Sequence, residues 1–129
     1  MLFVLAIAQV VSKVPYDAND FNCWDFASDD QAMLREYNIS SHIIFGTVNC
    51  SSVRWNKTQC RTFGGLHAWL DVGGEWIETT TGAMIINRDA YHYGYIASAK
   101  SNPQRERWIN AHPITITINA PQSFTYEEE

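Results

Sequence analysis

The segment "HIIFGTV", residues 42–48, is dense in β-branched and aromatic side chains and predicts a strand. "GGLHAWLDVGGEWIETTTG" follows, with two alternating apolar and polar runs around Gly73-Gly74, the pattern of a β-hairpin with a two-residue turn. A 3.6-residue period predicts a helix from about Asn22 to Tyr37. Asn22 is its N-cap and Asp25, three residues on, is the acid of a capping box. Cys23, Phe26, Ala27, Met33, Leu34 and Tyr37 then share an inner face, with Asp25, Ser28, Asp29, Arg35 and Glu36 largely on the outer one.

The flanks read less sharply. "MLFVLAIAQVV" has the length of a signal peptide's apolar core, but no basic residues precede it and no clear small-residue cleavage site follows. Ile7, Val10, Val11 and Val14 recur at helical spacing, which favours a docked amphipathic helix over about residues 2–14, ended by Pro15. Membrane association through this segment is the accompanying expectation, although it is too short to span a bilayer. "YDANDFN" is a turn-forming connector. The stretch from Cys50 to Phe63 reads as a long loop, residues 83–100 as irregular chain with a short strand near Tyr93–Ala97, "ITITI" at 114–118 as a strand, and the terminal "YEEE" as a frayed end.

With 129 residues and 46% apolar composition, the chain suffices for a single domain with one core. A net charge of −5, with Lys100, Arg105 and Arg107 the nearest approach to a basic cluster, argues against nucleic acid as a partner. Those three residues flank Asn102 and Pro103 and read as a solvated turn.

Cys50 and Cys60 bracket a polar segment. They can form a disulfide worth roughly 3 kcal/mol on the chain-entropy model, remain as thiols, or contribute to a metal site. Zinc is disfavoured because neither C-x-x-C nor H-x-x-x-H spacing occurs. Three N-x-S/T acceptors, at Asn38, Asn49 and Asn56, lie in the same region. Together with a possible cystine they favour a secreted or cell-surface glycoprotein. If Cys50 and Cys60 pair, Cys23 is left over and needs a reason to be there.

The hairpin supplies one. A turn at Gly73-Gly74 pairs Val72 with Glu75, Asp71 with Trp76, Leu70 with Ile77 and Trp69 with Glu78. His67, Trp69 and Asp71 then share a face with Trp76, Glu78 and Thr80, and His67 and Glu78 become diagonal neighbours about 7 Å apart at Cβ or somewhat less. Asp71 lies about 13 Å along the strand from His67 and is out of reach. A cysteine thiol is only slightly ionised at neutral pH, but a helix N-terminus and a neighbouring imidazolium both favour the thiolate. Cys23 as nucleophile, His67 as base and Glu78 as orienting acid thus form a candidate proton-transfer chain, with the Cys23 backbone N–H as an oxyanion donor. Taken singly, each residue has a structural reading: a buried cysteine as a small hydrophobe, a strand histidine as a satisfied core residue, Trp69 and Trp76 as packing aromatics.

"NCWDFA" at 22–27 resembles the Q-C-W-x-F-A nucleophile motif of the transglutaminase-like superfamily of papain-related cysteine enzymes. "HAWLDVGGEWIETTT" at 67–81 resembles its H-A-W followed by a hairpin ending in W-x-x-D-P-T. The resemblance covers about residues 16–82 in the order Cys, His, acid. It implies an α+β fold with a papain-like transglutaminase core, a helix with Cys23 at its N-terminus packed on an antiparallel sheet, within a catalytic core of about residues 16–120. Glu78 stands where the family has Asp, Thr79 where it often has Pro, and Asn22 where it has Gln; no tryptophan precedes Cys23.

Small microbial members imply a peptidase or amidase that cleaves an amide or isopeptide bond through a thioester on Cys23, acting on a protein or peptide without a cofactor. Asn22, Trp24 and Trp69 are the expected substrate-binding or oxyanion residues. Two other functions fit the same residues: a non-catalytic binding or assembly module with Trp24, Trp69 and Trp76 as its contact surface, and a crosslinking acyltransferase that passes the acyl group to an amine.

Overall fold

In the computed structural model, which describes residues 1–17, 21–53, 55, 57–101 and the backbone of Tyr126–Glu127, the apolar N-terminal segment forms α1 (Leu2–Val11). Val4, Leu5, Ile7, Ala8 and Val11 are buried, so the helix is docked rather than free. It stops short of the expected residue 14, because Ser12 turns its hydroxyl back onto the Gln9 carbonyl at 2.7 Å ahead of Pro15. Among the described residues no helix is long and apolar enough to cross a membrane.

The second helix, α2 (Cys23–Glu36), begins at the expected cap. The Trp24 N–H donates to Asn22 Oδ1 at 3.1 Å, and the Asn22 N–H donates to Asp25 Oδ2 at 3.0 Å, so the capping box is complete. The expected solvent face of this helix is wrong at its N-terminal half: Asp25, Ser28 and Asp29 are buried, and so is the neighbouring Asp30. The segment leaving the last long strand covers Asp25 and Ser28. Lys100 donates from Nζ to Asp25 Oδ2 at 2.8 Å and from its backbone N–H to Ser28 Oγ at 2.9 Å. Lys100 is therefore a clamp on α2 and not part of a solvated turn; Arg105 and Arg107 lie outside the described residues. Burial and the neighbouring Asp29 push the Asp30 carboxyl well above the usual range. Tyr37 emerges at the C-cap, exposed, with its ring edge-on to Phe3 at 4.8 Å.

Five antiparallel strands, β1 (His42–Val48), β2 (Leu66–Val72), β3 (Glu75–Glu78), β4 (Ala83–Ile85) and β5 (Tyr91–Ala97), form a sheet in the order β5-β1-β2-β3-β4. Gly73 and Gly74, at φ +61° and +90°, make the expected tight turn, which needs left-handed backbone at both positions. The register is the expected one: Leu70 opposite Ile77, Asp71 opposite Trp76, Val72 opposite Glu75. A register shift between Phe45 and Gly46 kinks β1 against β5. A Cβ on Gly46 would lie 2.1 Å from the His92 carbonyl oxygen and 2.7 Å from the Trp69 ring, so this glycine is required by close approach.

Two expectations fail at the sheet's margins. The presumed loop between Cys50 and Phe63 contains a short helix, α3 (Lys57–Thr62). The presumed frayed terminus pairs instead: β6 (Tyr126–Glu127) runs parallel to β4 at the sheet edge. The strand expected at 114–118 lies outside the described residues.

The sheet carries a core on each face. Leu5, Ile7, Phe26, Leu34, Ile43 and Leu70 belong to one, which joins α1 and α2 to the sheet. Ile44, Val48, Val53, Cys60, Trp69 and Tyr91 belong to the other. Cys50 and Cys60 are joined by a disulfide with Cα atoms 5.6 Å apart, fastening α3 over this second core. The architecture is thus α+β, with the tip of α2 brought to the start of β2.

Candidate active site

Cys23 opens α2, so its backbone N–H has no partner within the helix and points out of the positive end of the helix dipole. Its thiol is free and half-buried. Across from it, the alternation of β2 turns His67 into the interior, where the residue is 2% exposed. His67 Nε2 lies 2.7 Å from Oε1 and 2.8 Å from Oε2 of Glu78, which is fully buried on β3. With Nε2 committed to the carboxylate, Nδ1 is the ring nitrogen left for the Cys23 sulfur, which lies within hydrogen-bonding reach.

The electrostatics of the imidazole follow from these neighbours. Burial alone would lower its pKa, but the Glu78 carboxylate and the Cys23 sulfur, through charge and hydrogen bonds, push it up to about 10. The imidazolium is therefore the form this pocket holds at neutral pH.

Glu78 is held from three sides. Besides His67, the Thr80 hydroxyl donates to Oε1 at 2.7 Å and the Tyr91 hydroxyl donates to Oε2 at 3.1 Å. Tyr91 in turn accepts from Trp55 Nε1 at 3.3 Å. The Trp55 ring stacks on the imidazole with centroids 4.1 Å apart and planes 18° apart, and Trp69 lies on a nearly parallel plane at 6.3 Å. An aromatic face against an imidazolium is attractive and keeps water from the His67–Glu78 hydrogen bond.

A cleft of about 240 Å³ opens at the sulfur, lined by Tyr16, Asn22, Cys23, Trp24, Phe45, Phe63 and Leu66. No Asp, Glu, Lys or Arg side chain lines it. A smaller hollow bounded by Tyr16, Trp55, Gln59 and Thr80 lies beside it.

Of the residues expected at the site, Cys23, His67 and Glu78 converge. Asn22 lines the cleft, but its Oδ1 is committed to the cap. Trp24 also lines it, while its indole N–H donates to the Ser98 carbonyl at 2.9 Å. Trp69 does not contact substrate space: it is fully buried, with Trp76 at 5.2 Å and Tyr91 at 5.2 Å, because the disulfide-bound segment covers its face of the sheet. The contact surface of Trp24, Trp69 and Trp76 therefore does not exist as a unit. Trp76 lies under the Arg88 guanidinium at 4.4 Å. Asp71, as expected, is no part of the site and accepts the Gly74 N–H at 2.9 Å in its own turn. Asn38 and Asn49 are exposed, and Asn56 lies outside the described residues.

Three residues of the site, Tyr16, Trp55 and Tyr91, went unread in the sequence, and Thr80 was placed on the right face without a role. Thr80 had a local signal, being two positions beyond Glu78 with a side chain on the same face. The others reach the site only through tertiary contacts. Among the described residues no three His, Cys, Asp or Glu side chains converge as metal ligands. Comparison of the chain with family models, with curated proteins and with solved structures finds no match.

Proposed function

We propose that this chain is a cysteine hydrolase of the transglutaminase-like, papain-related kind, cleaving an amide or isopeptide bond in a protein or peptide through a thioester on Cys23. The observation that carries the reading is the single imidazole shared between the Cys23 sulfur and the Glu78 carboxylate. A free thiol at a helix N-terminus, beside an imidazole that a carboxylate orients, is placed as a nucleophile with its base.

The cycle follows from that geometry. The sulfur adds to the substrate carbonyl carbon, and the carbonyl π pair moves onto oxygen near the Cys23 N–H. The oxyanion collapses, the C–N bond breaks, and the His67 imidazolium gives its Nδ1 proton to the departing amine. Neutral His67 then takes a proton from water as that water attacks the thioester carbon; the second oxyanion collapses, the C–S bond breaks, the acid leaves, and the Cys23–His67 pair returns to its starting state. Glu78 keeps Nε2 protonated throughout, so that Nδ1 alone exchanges the proton.

An extracytoplasmic location is part of the proposal, supported by the Cys50–Cys60 disulfide and by exposed sequons at Asn38 and Asn49. Incubation with peptide amides, with and without a labelled primary amine, tests the reaction class. Release of free acid supports hydrolysis; incorporation of the label identifies a crosslinking transferase. If Cys23→Ala retains full biological activity, the domain is a binding module.

A further inference from the structure

We propose that Tyr16 is the second oxyanion donor of this site, its phenolic O–H closing with the Cys23 backbone N–H around the carbonyl oxygen of the bound acyl donor. The inference rests on the reading of Cys23 as the nucleophile. A tetrahedral intermediate at the sulfur needs donors already aimed at the oxygen before it becomes charged. Around Cys23, several local donors are engaged: the Asn22 N–H with Asp25, the Trp24 N–H with Asn22, and the Trp24 indole with Ser98. The Cys23 N–H remains, and the Tyr16 hydroxyl lies within hydrogen-bonding reach of it.

Tyr16 is also fixed in place. Its ring stacks on Phe26 of the first core at 6.0 Å with planes 9° apart. The residue borders both the cleft at Cys23 and the adjoining hollow lined by Trp55. Burial first, and then the charge at Cys23, raise the phenol to about 12, which keeps it protonated and able to donate throughout the neutral range. In the empty site the phenolic oxygen accepts from the Cys23 N–H. When substrate enters, its carbonyl oxygen takes that N–H and also accepts from the phenol O–H. No proton is transferred: sulfur adds to carbon, the π pair goes to oxygen, and both donors hold that charge until the C–N bond breaks.

The test compares Tyr16→Phe with the parent chain using two probes. Acylation by p-nitrophenyl butyrate passes through an oxyanion; alkylation by iodoacetamide, a displacement at saturated carbon, does not. The expected result is a fall of about 10²-fold in p-nitrophenolate release, with the alkylation rate at pH 6 within about twofold of the parent for a chain of unchanged circular dichroism. An acylation rate within about threefold of the parent overturns the assignment, as does a parallel loss of both rates, which marks Tyr16 as mere support for the thiol. A parent chain that neither releases p-nitrophenolate nor alkylates at pH 6 instead overturns the reading of Cys23 as the nucleophile.

Discussion

His67 Nε2 sits 2.7 and 2.8 Å from the two oxygens of the Glu78 carboxylate, so one N–H is shared by both acceptors in a pocket where the residues are 2% and 0% exposed. The longer Glu side chain reaches the imidazole from the diagonal position on β3, and Thr80 and Tyr91 occupy its remaining lone pairs. A buried pair of this kind gains little over an apolar pair, but breaking it strands a charge.

His67→Ala is therefore expected to lower stability by about 3–5 kcal/mol, with His67→Ala/Glu78→Gln recovering part of that loss because the stranded carboxylate is gone. Urea unfolding of the two single variants and the double variant measures the coupling. Additive losses would show that the two residues do not act as a unit.

Stability should also depend on alkaline pH. The His67 imidazole holds its proton more tightly folded, at about 10, than at its ordinary 6.5. Its contribution is thus fully present below about pH 6.5 and is lost as pH rises through about 10. Unfolding free energy measured over that window is expected to drop by on the order of a few kcal/mol, and to drop less in Glu78→Gln. A flat profile for the parent chain contradicts the paired imidazolium.

Gly46→Ala is expected to be among the costliest small substitutions. The added methyl meets the His92 carbonyl oxygen at 2.1 Å and the Trp69 ring at 2.7 Å, both packed in the sheet. Repacking on that scale costs about 1–3 kcal/mol or more, read as a fall in thermal midpoint; an unchanged midpoint would refute the close approach.

Reduction, or replacement of Cys50 and Cys60 together by Ala, should cost roughly 3 kcal/mol and loosen α3 over Trp69. The expected signature is a lower thermal midpoint with loss of near-ultraviolet aromatic dichroism, and an unaltered midpoint would argue that the crosslink is idle.

Much of this arrangement was legible because it is local. Asn22 and Asp25 announce a helix start within four residues, and Gly73-Gly74 fixes a register that puts His67 diagonal to Glu78. Period-2 alternation then decides which side chains share a face. The errors have a common cause, namely coverage by chain distant in sequence. Asp25 and Ser28 read as solvent-facing until Lys100 and its segment cover them, and Trp69 read as a cleft residue until the disulfide-bound segment covered its face. Trp55 and Tyr91, 12 and 24 residues from His67, carry no periodic signal that links them to it. The pairing of β4 with β6 joins residues too far apart for any turn signal.

The measurement that bears most directly on the central claim is the rate of Cys23 alkylation by iodoacetamide as a function of pH, in the parent chain and in His67→Ala. The coupled sulfur and imidazole predict that the parent alkylates at pH 6 at least tenfold faster than an ordinary free thiol, an advantage that His67→Ala abolishes. A parent chain no more reactive at pH 6 than a free thiol, or a profile indifferent to the loss of His67, would contradict it.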